Sequence, residues 1–489
     1  MSAPSCRSFL LSRCLLVLAT LGQAVGCSHK KSAGVPDAMG ARAMLRCTVG
    51  AALKDPVGTP RIGSVVLRDR LRTLVLGDAS VIRPAGSGAK ALAAGTGAGG
   101  EAFEALLDRE KLPPRTSGSL EFFIDGREFF PVYLKELQAA RKSIDVETFI
   151  FDTDDVAAQV ADVLRAKSAQ MPVRVRFDGL GSDQAAKVQA KSMPASFKPL
   201  KDARAYLTAG SGVACRRTGN ACFVADHSKL HLIDGDRAFV GGMNVGREYR
   251  YEWHDMMARV EGPVVQELAR LYDKRWRCDA WWHQLQQGKR VAASTATTTQ
   301  PPPAAEAKDQ REARRQVPLR VLHTDASHGR QQILKATLLG IRCASRRVWI
   351  ETPYFSCDEI IQELQAALKR GVDVRIVIPQ KADADIMQAN NGADMRKLIE
   401  HGAKVWAYPG MTHLKATVCD DWAMFGSANY DTLSQRINVE LNLATSDPHT
   451  VRTLATRVFE HDFRTGTRLT AEMAKAKGGP LAELIGDQL

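Results

Sequence analysis

Two short stretches of this chain hold side chains whose types and spacing could do nucleophilic and acid–base chemistry. One is His227-Ser-Lys229-Leu-His-Leu-Ile-Asp234, followed by Gly241-Gly-Met-Asn244; the other is His413-Leu-Lys415-Ala-Thr-Val-Cys-Asp420, followed by Gly426-Ser-Ala-Asn429. Both read HxKxxxxD and then Gly-small-x-Asn. In an extended strand, residues two apart share a face, so each His projects with its Lys while Leu230, Leu232 and Ile233 supply packing. Imidazole, with a reference pKa of about 6.5, can attack as a base or donate as an acid near neutrality. An adjacent ammonium can neutralise charge developing on a reacting group, and the Asn after the Gly turn can present its amide to the same pocket. A carboxylate completes each set, because Asp255 and Glu440 lie eleven residues beyond Asn244 and Asn429, 28 and 27 beyond the respective His. A carboxylate on one ring nitrogen fixes the tautomer and frees the other nitrogen. The matching offset assigns Asp255 to His227 and Glu440 to His413.

The elements that must position these groups also occur twice. In the first half a helix ending over Leu134–Lys142 leads into the alternating strand Ser143–Phe151, then a helix over Val156–Lys167 and a strand over Val173–Phe177. In the second half the same series runs through Ile333–Ala344, Arg347–Phe355, Glu359–Arg370 and Val372–Ile378. Strands alternating with helices of this length predict βαβ units and a sheet sandwiched by helices. Repetition of the whole pattern predicts two similar α/β/α lobes from an internal duplication, spanning 116–288 and 317–489. Glu147 and Glu351 fall on equivalent strands and read as repeated scaffold. The extra histidines His231 and His254 read as packing or hydrogen-bonding groups.

The rest of the chain bounds the setting. Its 489 residues are 45% hydrophobic and 25% charged, the balance of a globular protein rather than a disordered one. Lys and Arg number 67 against 54 Asp and Glu, a net charge of +13, which favours polyanionic partners such as nucleic acid or an acidic phospholipid surface. No apolar run reaches the roughly 18–20 residues of a spanning helix. Residues 1–27 have a basic start, a short apolar centre and a small-residue end at Ala24-Val-Gly-Cys27, the layout of an export signal; this end also resembles a bacterial lipobox, which would make Cys27 a lipidation site. An envelope or secreted location is expected, and there a small disulfide loop between Cys215 and Cys222 would be stable. Residues 28–115, rich in Gly and without the Walker spacing, are expected to be a low-complexity tether. The Pro/Ala/Thr-rich stretch 289–316 is expected to link the lobes. Trp276, Trp281 and Trp282 beside Arg275 and Arg277 suggest a lipid-facing patch, but the helical spacing of Val265, Leu268, Tyr272 and Trp276 favours a buried face.

The paired HxKxxxxD motifs resemble those of the phospholipase D superfamily. The run Trp253-His-Asp-Met-Met-Ala-Arg-Val-Glu-Gly-Pro263, with Asn438-Val-Glu440, is most similar to the bacterial cardiolipin synthase branch. The likeness covers roughly 121–463 apart from the linker. It implies one pseudo-twofold active site at the seam between lobes, where a diester phosphate would meet Lys229, Lys415, Asn244 and Asn429, with Ser434 also helping to hold it. It further implies that Asp255 and Glu440 orient the histidines, while Asp234 and Asp420 complete the catalytic motifs as structural partners. One imidazole would attack phosphorus and form a phosphohistidine. The other would protonate the leaving alkoxide and then deprotonate the incoming hydroxyl. No metal or cofactor is expected, since no cluster with metal-ligand spacing is visible.

The expected activity is therefore phosphatidyl transfer between membrane phospholipids by a two-lobed monomer, with phosphatidylglycerol as the expected acceptor and no nucleotide cofactor. A secreted phospholipase D, in which water resolves the intermediate to phosphatidic acid, uses the same site. A nucleic-acid phosphodiesterase ranks lower, because no aromatic-basic nucleic-acid motif accompanies the charge. An inactive lipid-binding protein is the non-enzymatic alternative.

Overall fold

The computed structural model describes residues 94–218, 224–286, 315–383 and 385–474, together with Ser64. The signal, Cys27, Cys222 and the linker core lie outside these residues, as do the side chains of Trp281 and Trp282. The first lobe contains β1 (Thr116–Ile124), β2 (Ile144–Thr148), β3 (Val173–Asp178), β4 (Ala214–Thr218), β5 (Leu230–Ile233), β6 (Arg237–Gly241) and β7 (Met256–Glu261). The second contains β8 (Val317–Asp325), β9 (Arg330–Gln331), β10 (Arg347–Glu351), β11 (Asp373–Pro379), β12 (Lys404–Tyr408), β13 (Ala416–Cys419), β14 (Trp422–Gly426), β15 (Glu440–Thr445) and β16 (Thr467–Arg468). All join one sheet in the order β16-β12-β11-β10-β13-β14-β15-β8-β1-β7-β6-β5-β2-β3-β4, with β9 paired to β8.

Outward from the β8–β1 junction the first seven strands on each side follow the same order, with β16 added at the second-lobe edge, so a pseudo-twofold axis passes between β8 and β1. Thr116, Ser117 and Gly118 pair antiparallel with Leu319, Pro318 and Val317 at the junction. Within each lobe the outer strands are parallel and helix-connected, β2 to β3 and β10 to β11. The inner strands form the antiparallel meanders β5–β6–β7 and β13–β14–β15. The expected strands Ser143–Phe151 and Arg347–Phe355 stop early for one shared reason. The Thr148 hydroxyl donates to Ile150 O at 3.0 Å and the Thr352 hydroxyl to Tyr354 O at 2.9 Å, turning the chain out of the sheet at equivalent points.

One core packs under each lobe, around Phe129, Tyr133, Val146 and Phe239 in the first and Ile333, Leu339, Ile350 and Trp422 in the second. A third core on the opposite face crosses the junction and is covered by the helix Pro263–Gln286 and the segment Pro448–Thr465. There Phe122 meets Phe425 edge-on, with ring centroids 5.0 Å apart. Val265, Leu268 and Tyr272 are fully buried in this core and Trp276 packs at its margin under Arg216.

The segment expected to be a tether is folded from residue 94. Phe103, Leu106 and Leu107 fall on one face of the helix Gly100–Arg109 and enter the second-lobe core, with Phe103 edge-on to Trp422. Arg320, 1% exposed, donates to the Glu104 carboxylate at 2.7 Å. The glycines ahead of this helix serve close approach rather than slackness. Gly95 N and Gly97 N bond Arg342 O and Cys343 O, and a Cβ on Gly99, whose φ is +105°, would lie 2.6 Å from the Asp421 backbone.

Candidate active site

Each motif His sits just ahead of the first strand of its meander, on chain that hydrogen-bonds to the other lobe. His227 N donates to Val439 O at 2.8 Å, and His413 N donates to His254 O at 2.7 Å. Asp226 and Val439, and likewise Thr412 and His254, form parallel bridges across the seam. Val439 immediately precedes Glu440, and His254 immediately precedes Asp255. The carboxylates therefore cross over: His227 Nδ1 lies 2.9 and 3.0 Å from the two oxygens of Glu440, and His413 Nδ1 lies 2.7 Å from Asp255 Oδ2.

This corrects the within-lobe pairing that the sequence offsets suggested. In each meander the His-bearing strand and the carboxylate-bearing strand are separated by a third, a gap of about 10 Å at ordinary strand spacing. The seam brings the opposite lobe much closer. Each His–carboxylate pair is thus assembled from both halves of the chain.

The lysines lie beside the rings. Lys229 Nζ donates to the carbonyl of His227 at 2.7 Å, and Lys415 does the same to His413. Lys229 is 0% and Lys415 2% exposed. Burial pushes Lys229 well below the ordinary lysine range and Lys415 down to about 8. Burial also lowers His227 to about 4 against the attraction of Glu440, and it lowers His413, with Lys415 and Lys229 adding to the effect. Both shifts favour the neutral ring, and with Nδ1 directed at a carboxylate the proton belongs on Nδ1 and the lone pair on Nε2.

Other predicted residues divide by place. Asn244 Oδ1 accepts from Ile150 N at 3.0 Å and lies 3.1 Å from Thr148 Oγ1, and its buried Nδ2 has no protein partner. Asn429 is 5% exposed and its Oδ1 is likewise unpartnered. Ser434 N and Oγ bond the Asp431 carboxylate at the start of the helix Thr432–Arg436. Asp234 and Asp420 stand at the far ends of β5 and β13, on the order of 20 Å of extended chain from their histidines. Asp234 Oδ1 accepts from the backbone of Arg141, Lys142 and Ser143. Asp420 accepts from Ala98, Ser345, Arg346 and Arg347 N–H groups. Each has positive φ, +56° and +48°, and pins the turn before β2 or β10. Neither reaches the reacting centre.

Sequence reasoning missed the groups that shape the dyads. Ser427 Oγ donates to Glu440 Oε2. Its counterpart Gly242 leaves room for Asp255, since a Cβ there would lie 2.2 Å from Asp255 Oδ1. Phe149 meets the His227 ring edge-on at 4.8 Å, and Tyr249 and Trp253 flank His413 at 5.4 Å. The small residues of the Gly-small-x-Asn turns were the available signal for the first two. His231 is buried against Tyr133 and Phe129 with both ring nitrogens unpartnered, and burial lowers it to about 3. Among the described residues one group, His254, Glu351 and Asp462, has donor atoms within 4.8 Å of one another; hydrogen bonds to carboxylates already occupy both nitrogens of His254.

A family model described as "Cardiolipin synthase, PLD-like domain" matches residues 133–276 and 339–463. Cardiolipin synthase A of Pseudomonas entomophila (strain L48) is 30% identical over 388 residues, 76% of this chain and 74% of that protein. Probable cardiolipin synthase YwiE of Bacillus subtilis (strain 168) is 27% identical over 372 residues, 73% of this chain and 68% of that protein. Among solved structures, phosphatidylserine synthase of Haemophilus influenzae Rd KW20 shares the fold, with a TM-score of 0.56 at 15% identity over 79% of this chain and 99% of that one. Each matched segment carries one His–Lys–Asp motif and one crossed carboxylate, and the chain belongs to the phospholipase D superfamily, in its cardiolipin synthase branch of phosphatidyltransferases.

Proposed function

We propose that the protein transfers a phosphatidyl group from one membrane phospholipid to a hydroxyl of another through a phosphohistidine. The observation that carries this reading is the crossed pair of dyads, two neutral imidazoles with two buried lysines between two carboxylates. A bound phosphodiester would add its negative charge beside Lys229 and Lys415, which favours their ammonium forms. One imidazole Nε2 attacks phosphorus as the P–O bond to the leaving alkoxide breaks. The other ring takes up a proton once the anion is bound, because its carboxylate stabilises the imidazolium, and it passes that proton to the alkoxide. It then removes the proton from the acceptor hydroxyl, whose oxygen displaces the histidine. Lys229, Lys415 and the Asn244 amide are placed to stabilise charge on the non-bridging oxygens. One diester is exchanged for another, so no nucleotide energy source is needed.

Anionic phospholipids such as phosphatidylglycerol fit the net charge of +13. No helix among the described residues is long and apolar enough to cross a membrane; anchoring through Cys27 in the cell envelope suits the N-terminal sequence. The test is product analysis with phosphatidylglycerol vesicles. Cardiolipin with glycerol release supports transfer, phosphatidic acid alone supports hydrolysis, and neither product refutes both. Acid-labile label trapped on the protein, lost in His227→Ala or His413→Ala, reports the intermediate.

A further inference from the structure

The layer behind the dyads is not symmetric. Behind His227, Glu147 is held by two guanidiniums, Arg176 Nη1 at 3.2 Å and Arg275 Nη1 at 2.7 Å. The equivalent Glu351 behind His413 meets the hydroxyl of Thr412, the ring of His254 and the carboxylate of Asp462. Glu351 and Asp462 are both 0% exposed. Two buried carboxylates side by side require a positive charge or shared protons. No arginine or lysine bonds either of them among the described residues, and His254 occupies the place that arginine fills in the other lobe.

The ring of His254 is 5% exposed and meets a carboxylate at each nitrogen: Nδ1 lies 2.7 Å from Asp125 Oδ1 and Nε2 lies 3.2 Å from Asp462 Oδ2. Ionised carboxylates only accept, and an imidazole donates from both nitrogens only as the cation. The same residue is tied to the reacting dyad through its backbone. His413 N donates to His254 O and His254 N donates to Met411 O, while Asp125, the acceptor for its ring, donates from its N to Asp255 O and accepts from Asp255 N at its carboxylate Oδ1.

We propose that His254 is an imidazolium positioning residue that clamps Asp255 and His413 across the seam, a role taken by Arg176 and Arg275 on the His227 side. The proposal rests on His413 being a reacting group. Other groups facing the ring are Asp125, Asp255, Glu351, Asp462, His461 beyond Asp462, and the Tyr408 ring stacked at 4.5 Å. Burial alone would lower the His254 pKa, but the bonds to Asp125 and Asp462, with the charge of Glu351, outweigh it and hold it well above the usual value. Burial and then the charge of Asp462 push Glu351 well above the carboxylate range. A raised folded-state pKa gives a contribution to stability that is complete below about pH 6.5 and fades as pH climbs through the raised value.

The test combines nitrogen-resolved NMR of the full chain with three proteins: wild type, His254→Ala and His254→Arg. In wild type both His254 nitrogens should be protonated at pH 7.5. His254→Ala should lower kcat on the order of 100-fold with KM nearly unchanged, the cost of a misplaced reacting group. His254→Arg, cationic at every accessible pH, should restore most of kcat and flatten the alkaline fall in melting temperature. A neutral His254 ring at pH 7.5, a His254→Ala protein with wild-type kcat, or a stoichiometric divalent metal found on this cluster by elemental analysis would overturn the proposal. The NMR and melting measurements need no substrate, so this proposal can fail while the transfer reaction stands, and the reverse.

Discussion

Replacing Glu440 by Gln tests the crossed geometry most directly. Glu440 is 0% exposed and offers both oxygens to His227 Nδ1, with Ser427 donating to Oε2. The amide is nearly isosteric, so packing is kept while the charge and one acceptor are lost. A hydrogen bond to a charged acceptor is worth roughly 1.5–3 kcal/mol, which corresponds to about 10- to 150-fold in rate. If the Gln amide nitrogen turns toward Nδ1, it donates and imposes the wrong tautomer; the loss can then approach about 10,000-fold, as in a hydrolase triad whose carboxylate becomes an amide. The expected outcome is a fall in kcat within these limits at little change in vesicle binding, read by cardiolipin formation. The discriminating measurement is the downfield Nδ1 proton resonance of each histidine. Glu440→Gln should move that of His227, 213 positions away in sequence, and leave that of His413 in place. If the His413 signal moves and the His227 signal does not, the lobes pair internally and the crossed assignment is refuted.

Gly242→Ala should inactivate the enzyme by about 100-fold without unfolding it, because the added methyl, 2.2 Å from Asp255 Oδ1, displaces the acid that holds His413; wild-type kcat at an unchanged melting temperature would contradict this. The pH profile of kcat/KM should fall on the acid side as His227 protonates near 4 and on the alkaline side as Lys415 loses its charge near 8. Lys415→Arg should lack the alkaline limb, and a limb unchanged in that variant would assign it to another group. Phe103→Ala should cost about 3–5 kcal/mol in denaturant unfolding, since this side chain is 2% exposed against Trp422. A change under about 0.5 kcal/mol, the size of an ordinary surface substitution, would mean residues 94–115 are a tether after all.

The duplication was legible because strand and helix periods repeat, and because Val348, Ile350, Val374 and Ile376 read as a buried parallel pair. The eight groups nearest the chemistry were legible because their types are costly to bury without a purpose, as with Lys229 at 0% exposure. What sequence offsets could not give was the partner of each histidine. An offset measures chain length, whereas the pairing depends on how two lobes meet, and the β8–β1 junction is held by contacts far apart in the chain. The folded strap at 94–115 was hidden for a local reason. Its glycines have the composition of a flexible linker, and only their seats against Arg342, Cys343 and Asp421 show that they are there for close approach.

Two rings in mirrored surroundings would have no reason to take different roles, yet the proposed transfer needs one to attack and the other to donate. The nearest contacts are almost alike: a carboxylate on Nδ1, a lysine on the carbonyl, and an aromatic ring alongside. The difference lies one layer back. Ser427 supports Glu440 where Gly242 only makes room for Asp255. Arginines face Glu147, whereas a histidine and a second acid face Glu351. In the proposed reaction, fixed charge behind one ring and titratable charge behind the other should give the two imidazoles different proton affinities. Exchanging these rear layers, by moving arginine to position 254 or by removing it at Arg275, should therefore shift the division of labour more gently than any change to the histidines, and the fraction of label trapped on each ring would measure that shift.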